Sequence, residues 1–228
     1  MYDIVFISYN EAYADENWNS LKSRFPTAKR VDGVKGIHQA HIKAAKKCFT
    51  KMFWVVDADA KLLDSFDFDY EVDEYNFETV HVWRSLNPVN GLTYGYGGVK
   101  LLPRALTIKM DTNKPDMTTS ISSKFKAVNT VSNFTAFNTD PFSTWRSAFR
   151  ECAKLASKTI QGQVDDETQQ RLDIWCSVGK DKDYGNYAIA GANAGRLYGL
   201  DNISNIDALM KINDYDWLYE QFSKHTVE

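Results

Sequence analysis

Short apolar runs and amphipathic segments alternate along the first 56 residues. Residues 3–8 (DIVFIS) and 52–56 (MFWVV) are apolar and rich in β-branched or aromatic side chains, which predicts two buried strands. Residues 30–32 form a possible short strand between them. Residues 17–24 and 37–49 carry apolar side chains at helical spacing, so both segments are predicted helices. The order strand, helix, strand, helix, strand predicts a parallel sheet with right-handed crossovers.

The middle of the chain has a different pattern, in which strand-like runs follow one another without helices between them. These runs lie at 79–84 (TVHVWR), 92–102 and 128–137, and they predict a mixed or antiparallel extension of the sheet. Asp140 and Pro141 then predict the start of a helix, with Asp140 as its N-cap. Further segments with helical spacing predict a helical C-terminal third: 167–178, 186–198 and 204–224. The predicted fold class is therefore α/β, with a mixed sheet flanked by helices.

The composition of the 228 residues is that of an ordinary globular protein, with 43% hydrophobic and 25% charged residues. No apolar run approaches the ~18 residues of a transmembrane helix, and the first residues lack the basic head of a signal peptide. Cys48, Cys152 and Cys176 are widely spaced and odd in number, which predicts reduced thiols rather than a disulfide framework or a zinc site. We therefore expect a cytoplasmic protein that does not enter a membrane.

The net charge of −3 conceals two blocks of opposite sign. Residues 22–51 contain nine basic residues and one acid, whereas residues 57–78 contain nine acids and one lysine. These blocks are either two solvated faces or parts of one polar site. A third segment, 99–126, has six basic residues and two acids, which predicts either a basic groove for nucleic acid or a lysine-rich loop without a partner.

Asp57 and Asp59 are the strongest candidates for chemistry because they follow a buried strand of the predicted parallel sheet. Two carboxylates at the carboxyl end of such a strand face the crevice in which open α/β sheets bind ligands. Neighbouring like charges are unfavourable without a cation or a shared proton, and a divalent ion held by carboxylates and substrate phosphates is a common solution. A solvated surface loop is the alternative interpretation of the same two residues.

Haloacid-dehalogenase phosphatases use a similar D-x-D motif, in which the first aspartate is the nucleophile. That family places the motif on the first strand and has Thr or Val at the position that is Lys61 in this chain. Here the motif instead follows a complete strand-helix-strand-helix unit. Both differences count against a phosphatase.

The first 60 residues resemble the GT-A glycosyltransferases, which bind a nucleotide sugar on a Rossmann-like half and hold Mn²⁺ or Mg²⁺ with D-x-D. The matching segments are Ser8-Tyr9-Asn10-Glu11, Asp32, Gly36-Ile37-His38-Gln39-Ala40 and Val55–Ala60, with a less specific continuation at Tyr96-Gly97-Gly98-Val99-Lys100. The resemblance implies a single GT-A-like domain over residues 1–228. Its parts are a nucleotide-sugar-binding half (1–60), an acceptor-side half (79–140) and a helical C-terminal part (141–228).

Three further segments, HVWR, YGYGGVKLLPR and WRSAFRE, make the whole chain similar to the small glycosyltransferases of tailed bacteriophages. Some members of that group decorate 5-hydroxymethylpyrimidines in the DNA of the phage. The similarity implies that the chain acts in the cytoplasm of an infected bacterium and that its acceptor is DNA. An enzyme that modifies a base inside a duplex has to flip it out, and an aromatic-lined pocket receives it.

The GT-A resemblance also implies a donor site at the ends of the first three strands. Its expected donor-binding residues are Ser8, Tyr9, Asn10, Glu11, Asp32, Lys35, Gly36, Asp57 and Ala58. Residues 9–11 would line the base and ribose pocket, Asp32 would contact the base, and Lys35 would face the diphosphate. Asp57 would reach ribose or metal, and Asp59 would coordinate the metal directly. The Mn²⁺ or Mg²⁺ ion would stabilise the charge on the departing diphosphate.

The expected acceptor-binding residues are Trp83, Tyr96, Gly97, Gly98 and Lys100. Glycines in this segment either let the backbone approach a substrate closely or form a bulge or turn. An inverting enzyme needs a base for the acceptor hydroxyl, and the expected catalytic residue is Asp140. A plain N-cap is the alternative role of Asp140, and Asp116 is the second candidate for the base. Inversion and retention both remain open.

The third metal ligand stays open: the resemblance implies a His or Asp from the C-terminal region, and the four histidines of the chain are His38, His41, His81 and His225. The expected activity is the transfer of a sugar from a nucleotide diphosphate, with a UDP-sugar as the expected donor, to 5-hydroxymethylcytosine in DNA. A polysaccharide, a small molecule or a protein is the alternative acceptor. A catalytically silent nucleotide-binding module is the alternative of another class, and no protein partner is implied.

Overall fold

The computed structural model of the chain describes residues 1–95, 97–160 and 162–225. The fold divides into two compact units, each built from several segments of the chain. The first consists of Met1–Asn87, Thr93–Asp111 and Ile121–Ala136, and the second of Pro88–Leu92, Thr112–Ser120 and Phe137–Glu228. The single GT-A-like domain with three parts stays a prediction.

The first unit begins with the strand and helix order that the sequence predicts. Its elements are β1 (Asp3–Ser8), α1 (Ala14–Arg24), β2 (Lys29–Asp32), α2 (Ile37–Lys46) and β3 (Met52–Asp57). Strand β1 lies between β2 and β3 and is parallel to both. The parallel start of the sheet is therefore confirmed. Parallel strands buried on both faces are near-continuous apolar runs, as β3 is from Met52 to Val56.

The rest of the sheet is mixed, as the helix-free middle of the chain predicts. Its strands are β4 (Ala60–Leu62), β5 (Val80–Leu86), β6 (Thr93–Tyr94), β7 (Val99–Pro103) and β8 (Phe125–Thr135). The sheet order is β2-β1-β3-β7-β5-β8-β4, and β6 pairs with β5. Strand β7 is antiparallel to both β3 and β5, whereas β8 is parallel to β5. The sequence did not predict β4, which is held by antiparallel pairing with β8.

An aromatic cluster covers one face of this sheet. Trp54 of β3 packs against Trp83 of β5 with ring centroids 4.4 Å apart. Phe66 and Phe68 come from the acidic block, yet both are buried and both contact Trp54. The segment 57–78 is therefore more than a solvated face, because its aromatic side chains complete the core.

Short helices and a helical region complete the chain. They are α3 (Arg104–Ile108), α4 (Met117–Ile121), α5 (Pro141–Ala156), α6 (Asp165–Ser177), α7 (Gly185–Asp201), α8 (Ile206–Met210) and α9 (Tyr215–His225). The helical C-terminal third is thus confirmed. Within the described parts of the chain, no helix is both long enough and apolar enough to cross a bilayer.

Helices α5 and α7 pack closely because α7 presents glycines to α5. A Cβ atom on Gly191, Gly195 or Gly199 would lie within 3.0 Å of the α5 backbone. The carbonyl oxygens that it would meet belong to Trp145, Phe149 and Ala153. Spacing by four residues places the three glycines on one helix face, which lets the two helices approach closely.

The segment predicted as helical at 204–224 is interrupted. A 3₁₀ turn (Lys211–Asn213) follows α8, and Asp214 then precedes α9. The Asp214 carboxylate accepts hydrogen bonds from the amides of Asp216 and Trp217, at 3.0 and 3.2 Å. The Arg150 side chain donates to the Ile212 carbonyl. A new helix start with its own cap therefore replaces one continuous helix.

Candidate functional site

The carboxyl ends of β1, β2 and β3 bring the predicted donor residues to one edge of the sheet. In the strand register, Ser8 pairs with Asp32 and Ile7 pairs with Asp57. Ser8, Asp32 and Asp57 therefore end three adjacent parallel strands. This edge is the place at which open α/β sheets bind ligands.

Asp32 is held by a buried hydroxyl and is itself open to solvent. The Ser8 Oγ atom donates to Asp32 Oδ1 at 2.5 Å, and Arg30 Nε donates to Ser8 Oγ at 2.9 Å. Ser8 is 2% exposed, whereas the Asp32 side chain is 59% exposed. Arg30 also forms a 2.6 Å ion pair with Asp15 of α1. The arrangement fixes the direction of an accessible carboxylate that can accept hydrogen bonds from a ligand.

The turn after β1 is polar and lies at the same edge. Tyr9 and Asn10 are exposed, and Glu11 is partly buried. The Tyr9 amide donates to Glu11 Oε2 at 2.7 Å, so the glutamate side chain closes the turn on itself. Their predicted contact with base and ribose stays a prediction.

Three hydrogen bonds to backbone groups of the D-x-D turn hold it in place. The Asp57 amide donates to the Gly98 carbonyl at 2.9 Å. The Ala58 carbonyl accepts from the buried Asn17 amide group at 2.8 Å, and the Asp59 carbonyl accepts from the Ala136 amide at 2.7 Å. Ala58 is buried, and the side chains of Asp57 and Asp59 are partly exposed. The turn is thus fixed while both carboxylates still reach its surface.

Lys100 of β7 forms an ion pair with Asp57 of the motif and is almost completely buried. Its ammonium donates to Asp57 Oδ2 at 2.7 Å and also to the Gly97 carbonyl. The Lys100 side chain is 2% exposed, and that of Asp57 is 33% exposed. The sequence predicts Lys100 as an acceptor-binding residue. In the structure, its ammonium is paired with Asp57 of the D-x-D motif. The signal for this pairing is a single lysine inside the apolar strand VKLLP.

A divalent ion bridging both aspartates does not fit this arrangement, because a lysine ammonium already occupies the contact with Asp57 Oδ2. Over the residues that the structure describes, no three His, Cys, Asp or Glu side chains form a group that could hold a metal. The Mn²⁺ or Mg²⁺ ion therefore stays a prediction.

The start of α2 lies beside this edge and is formed by a glycine. Gly36 is the N-cap residue and has a φ of 92°, a conformation that side-chain-bearing residues rarely adopt. Lys35 before it is exposed. One turn into the helix, His41 is buried, and its Nδ1 atom donates to the Ile37 carbonyl at 2.8 Å. Its Nε2 atom has no hydrogen-bond partner among the described residues.

Burial, and secondarily the charge of Lys100, lowers the pKa of His41 to about 3. Burial likewise lowers the pKa of His81 to about 4. Both imidazoles are therefore neutral at physiological pH. His81 lies within β5 against the Tyr70 ring, a packed position that agrees with its alternation along the strand. Ligation by any histidine stays a prediction.

The predicted acceptor residues are spread over different environments. Trp83 is 3% exposed and is part of the aromatic cluster on the sheet. Gly97 adopts a φ of 80° next to Lys100, and Gly98 leaves no space for a Cβ atom, which would lie 2.9 Å from Asn133 Nδ2. Tyr96 lies outside the described residues. An acceptor role for this set stays a prediction.

Asp140 belongs to the second unit, where it is the N-cap of α5. Its carboxylate accepts from the Ser143 amide at 2.8 Å, and Pro141 follows at the start of the helix. Burial would raise the pKa of Asp140, but hydrogen bonds from Ser143 and Thr139 outweigh it and lower the pKa. The predicted cap is confirmed. A lowered pKa makes the carboxylate a weaker base, and its catalytic role stays a prediction.

Two residues of the site were not found from the sequence, and a third was considered only in another role. Asn17 is one position in a helix, Asn133 is one position in a strand, and neither belongs to a motif. His41 was noted only as a candidate metal ligand. Asn17 contacts Ala58, which is 41 residues away in the sequence. Asn133 lies close to Gly98, which is also distant in the sequence.

Comparison with known proteins adds no family to this picture. No protein-family model matches the chain, and no curated protein sequence matches it significantly.

Proposed function

We propose that the chain is a GT-A-like glycosyltransferase that takes a sugar from a nucleotide diphosphate. The observation that carries the proposal is the alignment of Ser8, Asp32 and Asp57 at the ends of three adjacent parallel strands. A nucleotide ligand offers groups that suit each part of this edge. Its base and ribose carry hydrogen-bond donors for carboxylates, and its diphosphate suits a site with a cation.

The residues of this edge have separate tasks in the proposed reaction. Asp32, oriented by Ser8, accepts hydrogen bonds from the base, and the turn at 9–11 encloses base and ribose. The D-x-D turn lies beside the diphosphate. Breaking the sugar–phosphate bond leaves negative charge on that group, and a fixed positive charge nearby lowers the barrier. Lys100 is the cation that the described residues supply at the motif.

We propose 5-hydroxymethylcytosine in DNA as the acceptor to test first. The proposal is supported by the resemblance of three short segments to phage glycosyltransferases and by the exposed side chains of Lys109, Lys124 and Lys126, of which Lys124 is paired with Glu78 at 2.7 Å. Not all of the basic segment is free to bind DNA. Lys100 is buried at Asp57, and Arg104 donates to the Ala45 carbonyl. Polysaccharide, small-molecule and protein acceptors are the alternatives.

A transfer assay with the full chain tests this function. The protein is incubated with labelled UDP-sugars and hydroxymethylcytosine DNA, once with Mn²⁺ and once with EDTA, and both DNA label and free sugar are measured. We expect turnover that is reduced at least about tenfold in Asp59→Ala, because the substitution removes a carboxylate that the fixed D-x-D turn holds beside the donor. Asp64→Ala is the matched control, because Asp64 is an exposed acid close to the motif.

The outcomes separate the alternatives. Sugar hydrolysis without label in DNA would leave a glycosyltransferase with another acceptor. Nucleotide binding without any turnover would indicate the silent module instead. No turnover with any donor, together with no effect of Asp59→Ala on nucleotide binding, would refute the transferase.

A further inference from the structure

The position of Lys100 in the sheet brings its ammonium to Asp57 of the D-x-D motif. In the antiparallel pairing of β3 and β7, Lys100 lies opposite Val55. Asp57 is two residues further along β3, so its side chain points to the same face as that of Val55. A diagonal neighbour of this kind is within reach of a long side chain. The ion pair is therefore set by the strand register and does not depend on a flexible surface contact.

The surroundings of Lys100 contain little that could solvate a free ammonium. The side chain is 2% exposed, and the imidazole of His41, which is also buried, lies near it. Burying an unpaired ammonium costs several kcal/mol, so a buried lysine needs an anionic partner and hydrogen-bond acceptors. Asp57 and the Gly97 carbonyl are its two acceptors within the described residues, which leaves one of the three N–H groups for another acceptor.

The buried ammonium of Lys100 lies close to solvent, because its partner Asp57 is partly exposed at the carboxyl end of β3. Gly97 has a positive φ of 80°, and this turn directs its carbonyl to the lysine. The Asp57 side chain is 33% exposed, so the pair meets solvent at the carboxyl end of β3. In a site that excludes water, a fixed charge acts on a bound phosphate more strongly than it would in bulk water.

We propose that the Lys100 ammonium takes the place of the divalent ion that a D-x-D motif would otherwise bind through Asp57. Lys100 then supplies the fixed positive charge of the diphosphate subsite, and nucleotide binding does not require a metal. The inference rests on the proposed function, because it assigns the diphosphate of a nucleotide donor to this motif. A transferase of this kind differs from a metal-dependent one in a measurable respect, because a chelator should not abolish its nucleotide binding.

Two readouts on the intact chain test the proposal. Calorimetry measures the affinity for UDP, GDP and inorganic pyrophosphate in EDTA and in Mn²⁺. Electron paramagnetic resonance titration measures Mn²⁺ binding without any nucleotide. For the wild-type chain we expect binding of at least one nucleoside diphosphate in EDTA, an affinity that changes less than threefold with Mn²⁺, and no tight Mn²⁺ site. These ranges are roughly the spread that weak exposed ion pairs produce.

Lys100→Met should reverse this behaviour. Loss of the charge-assisted contact should weaken nucleotide binding in EDTA roughly 10- to 100-fold. The Asp57 carboxylate released by the substitution should then bind Mn²⁺ together with Asp59, and Mn²⁺ should restore part of the affinity. Lys61→Met is the matched control, since Lys61 is exposed and follows the motif directly, and it should bind as the wild type does.

Further variants keep the test decisive if Lys100→Met does not fold. Lys100→Arg retains the positive charge and should retain metal-independent binding. The double variant Lys100→Met with Asp57→Asn removes both partners of the ion pair, so it leaves no buried charge unpaired. If Lys100 serves only to neutralise Asp57, the double variant regains wild-type affinity in EDTA, and the proposal is overturned. Under the proposal its affinity stays low.

The remaining outcomes distinguish the proposal from the function on which it rests. If EDTA abolishes nucleotide binding by the wild type and Mn²⁺ restores it, the glycosyltransferase stands and the role of Lys100 is wrong. If no nucleotide binds in either condition, the nucleotide-sugar function fails. In that case a Mn²⁺ site present in Lys100→Met and absent in the wild type would still support the replacement, and equal Mn²⁺ binding would overturn it.

Discussion

The Ser8 hydroxyl donates a 2.5 Å hydrogen bond to the Asp32 carboxylate across two adjacent parallel strands. One partner is buried and the other is largely exposed. The buried Ser8 hydroxyl therefore helps to orient the exposed Asp32 carboxylate, which can accept hydrogen bonds from a ligand.

Ser8→Ala should weaken binding of the nucleoside diphosphate that the wild type prefers. Removing the hydroxyl leaves Asp32 with the longer 3.4 Å contact from Arg30, and the expected loss of affinity is roughly threefold to tenfold. Because Asp32 is proposed to contact the base, the affinity for inorganic pyrophosphate should not change. Calorimetry measures both ligands, and Ser23→Ala on the exposed face of α1 serves as the control. An equal loss for pyrophosphate would contradict a base contact.

Asn17→Ala should destabilise the D-x-D turn. The Asn17 side chain is buried and donates to the Ala58 carbonyl at 2.8 Å. Its removal leaves a buried carbonyl without its donor, and the free energy of unfolding should fall by about 1–3 kcal/mol. Urea denaturation measures this change. Asn19→Ala, two residues away and exposed, should change the free energy by less than about 0.5 kcal/mol.

Gly195→Ala should destabilise the second unit. The added methyl group would meet the Phe149 carbonyl, so α5 and α7 would have to move apart. Overpacking of this kind typically costs about 1–3 kcal/mol in the free energy of unfolding. Thermal denaturation is the measurement, with Leu197→Ala on the exposed side of the same helix as control. If Gly195→Ala raised the melting temperature through its better helix propensity, the close packing of α7 against α5 would be wrong.

His41 should make the stability of the chain depend on pH below neutrality. Burial lowers the pKa of His41 from 6.5 to about 3 in the folded protein, so the unfolded chain binds more protons between these values. Stability is therefore fully present above pH 6.5 and is lost as the pH falls towards 3, by roughly 1.4 kcal/mol per pH unit for one such group.

Urea denaturation between pH 4.5 and pH 7.5 tests this dependence. His41→Gln should flatten the pH profile of the free energy of unfolding, although its stability at pH 7.5 is lower. His225→Gln, at an exposed position of α9, should keep the slope of the wild type. His81, whose pKa burial lowers to about 4, contributes in the same direction and accounts for part of the remaining slope. An unchanged slope in His41→Gln would show that this imidazole is not buried in neutral form.

Several features of the fold follow from the sequence alone. The apolar runs of β1 and β3, the helical spacing in α2 and the pair Asp140-Pro141 at the start of α5 each predict the element that the structure contains. These signals are local, because periodicity and capping depend on residues that are close together in the chain. The polar ends of β1, β2 and β3 could be placed on one edge because parallel strands share their direction.

Other features depend on which distant residues meet. Strand β4 has three residues and exists because β8 pairs with it. Trp83, an aromatic residue in a strand, could equally have faced a ligand, but the register of β5 places it in the core beside Trp54. Neither outcome has a local signal, since register is set by pairing across the sheet.

By itself, the sequence determined an α/β chain with a D-x-D motif at the end of a buried strand and a helical last third. Only the tertiary structure decided what stands next to that motif. Lys100 is 43 residues from Asp57 in the chain, and the antiparallel register of β3 and β7 brings the ammonium to the carboxylate. The physical reason is that the electrostatic partner of a strand residue lies on the neighbouring strand, and the identity of that strand depends on the pairing of the whole sheet.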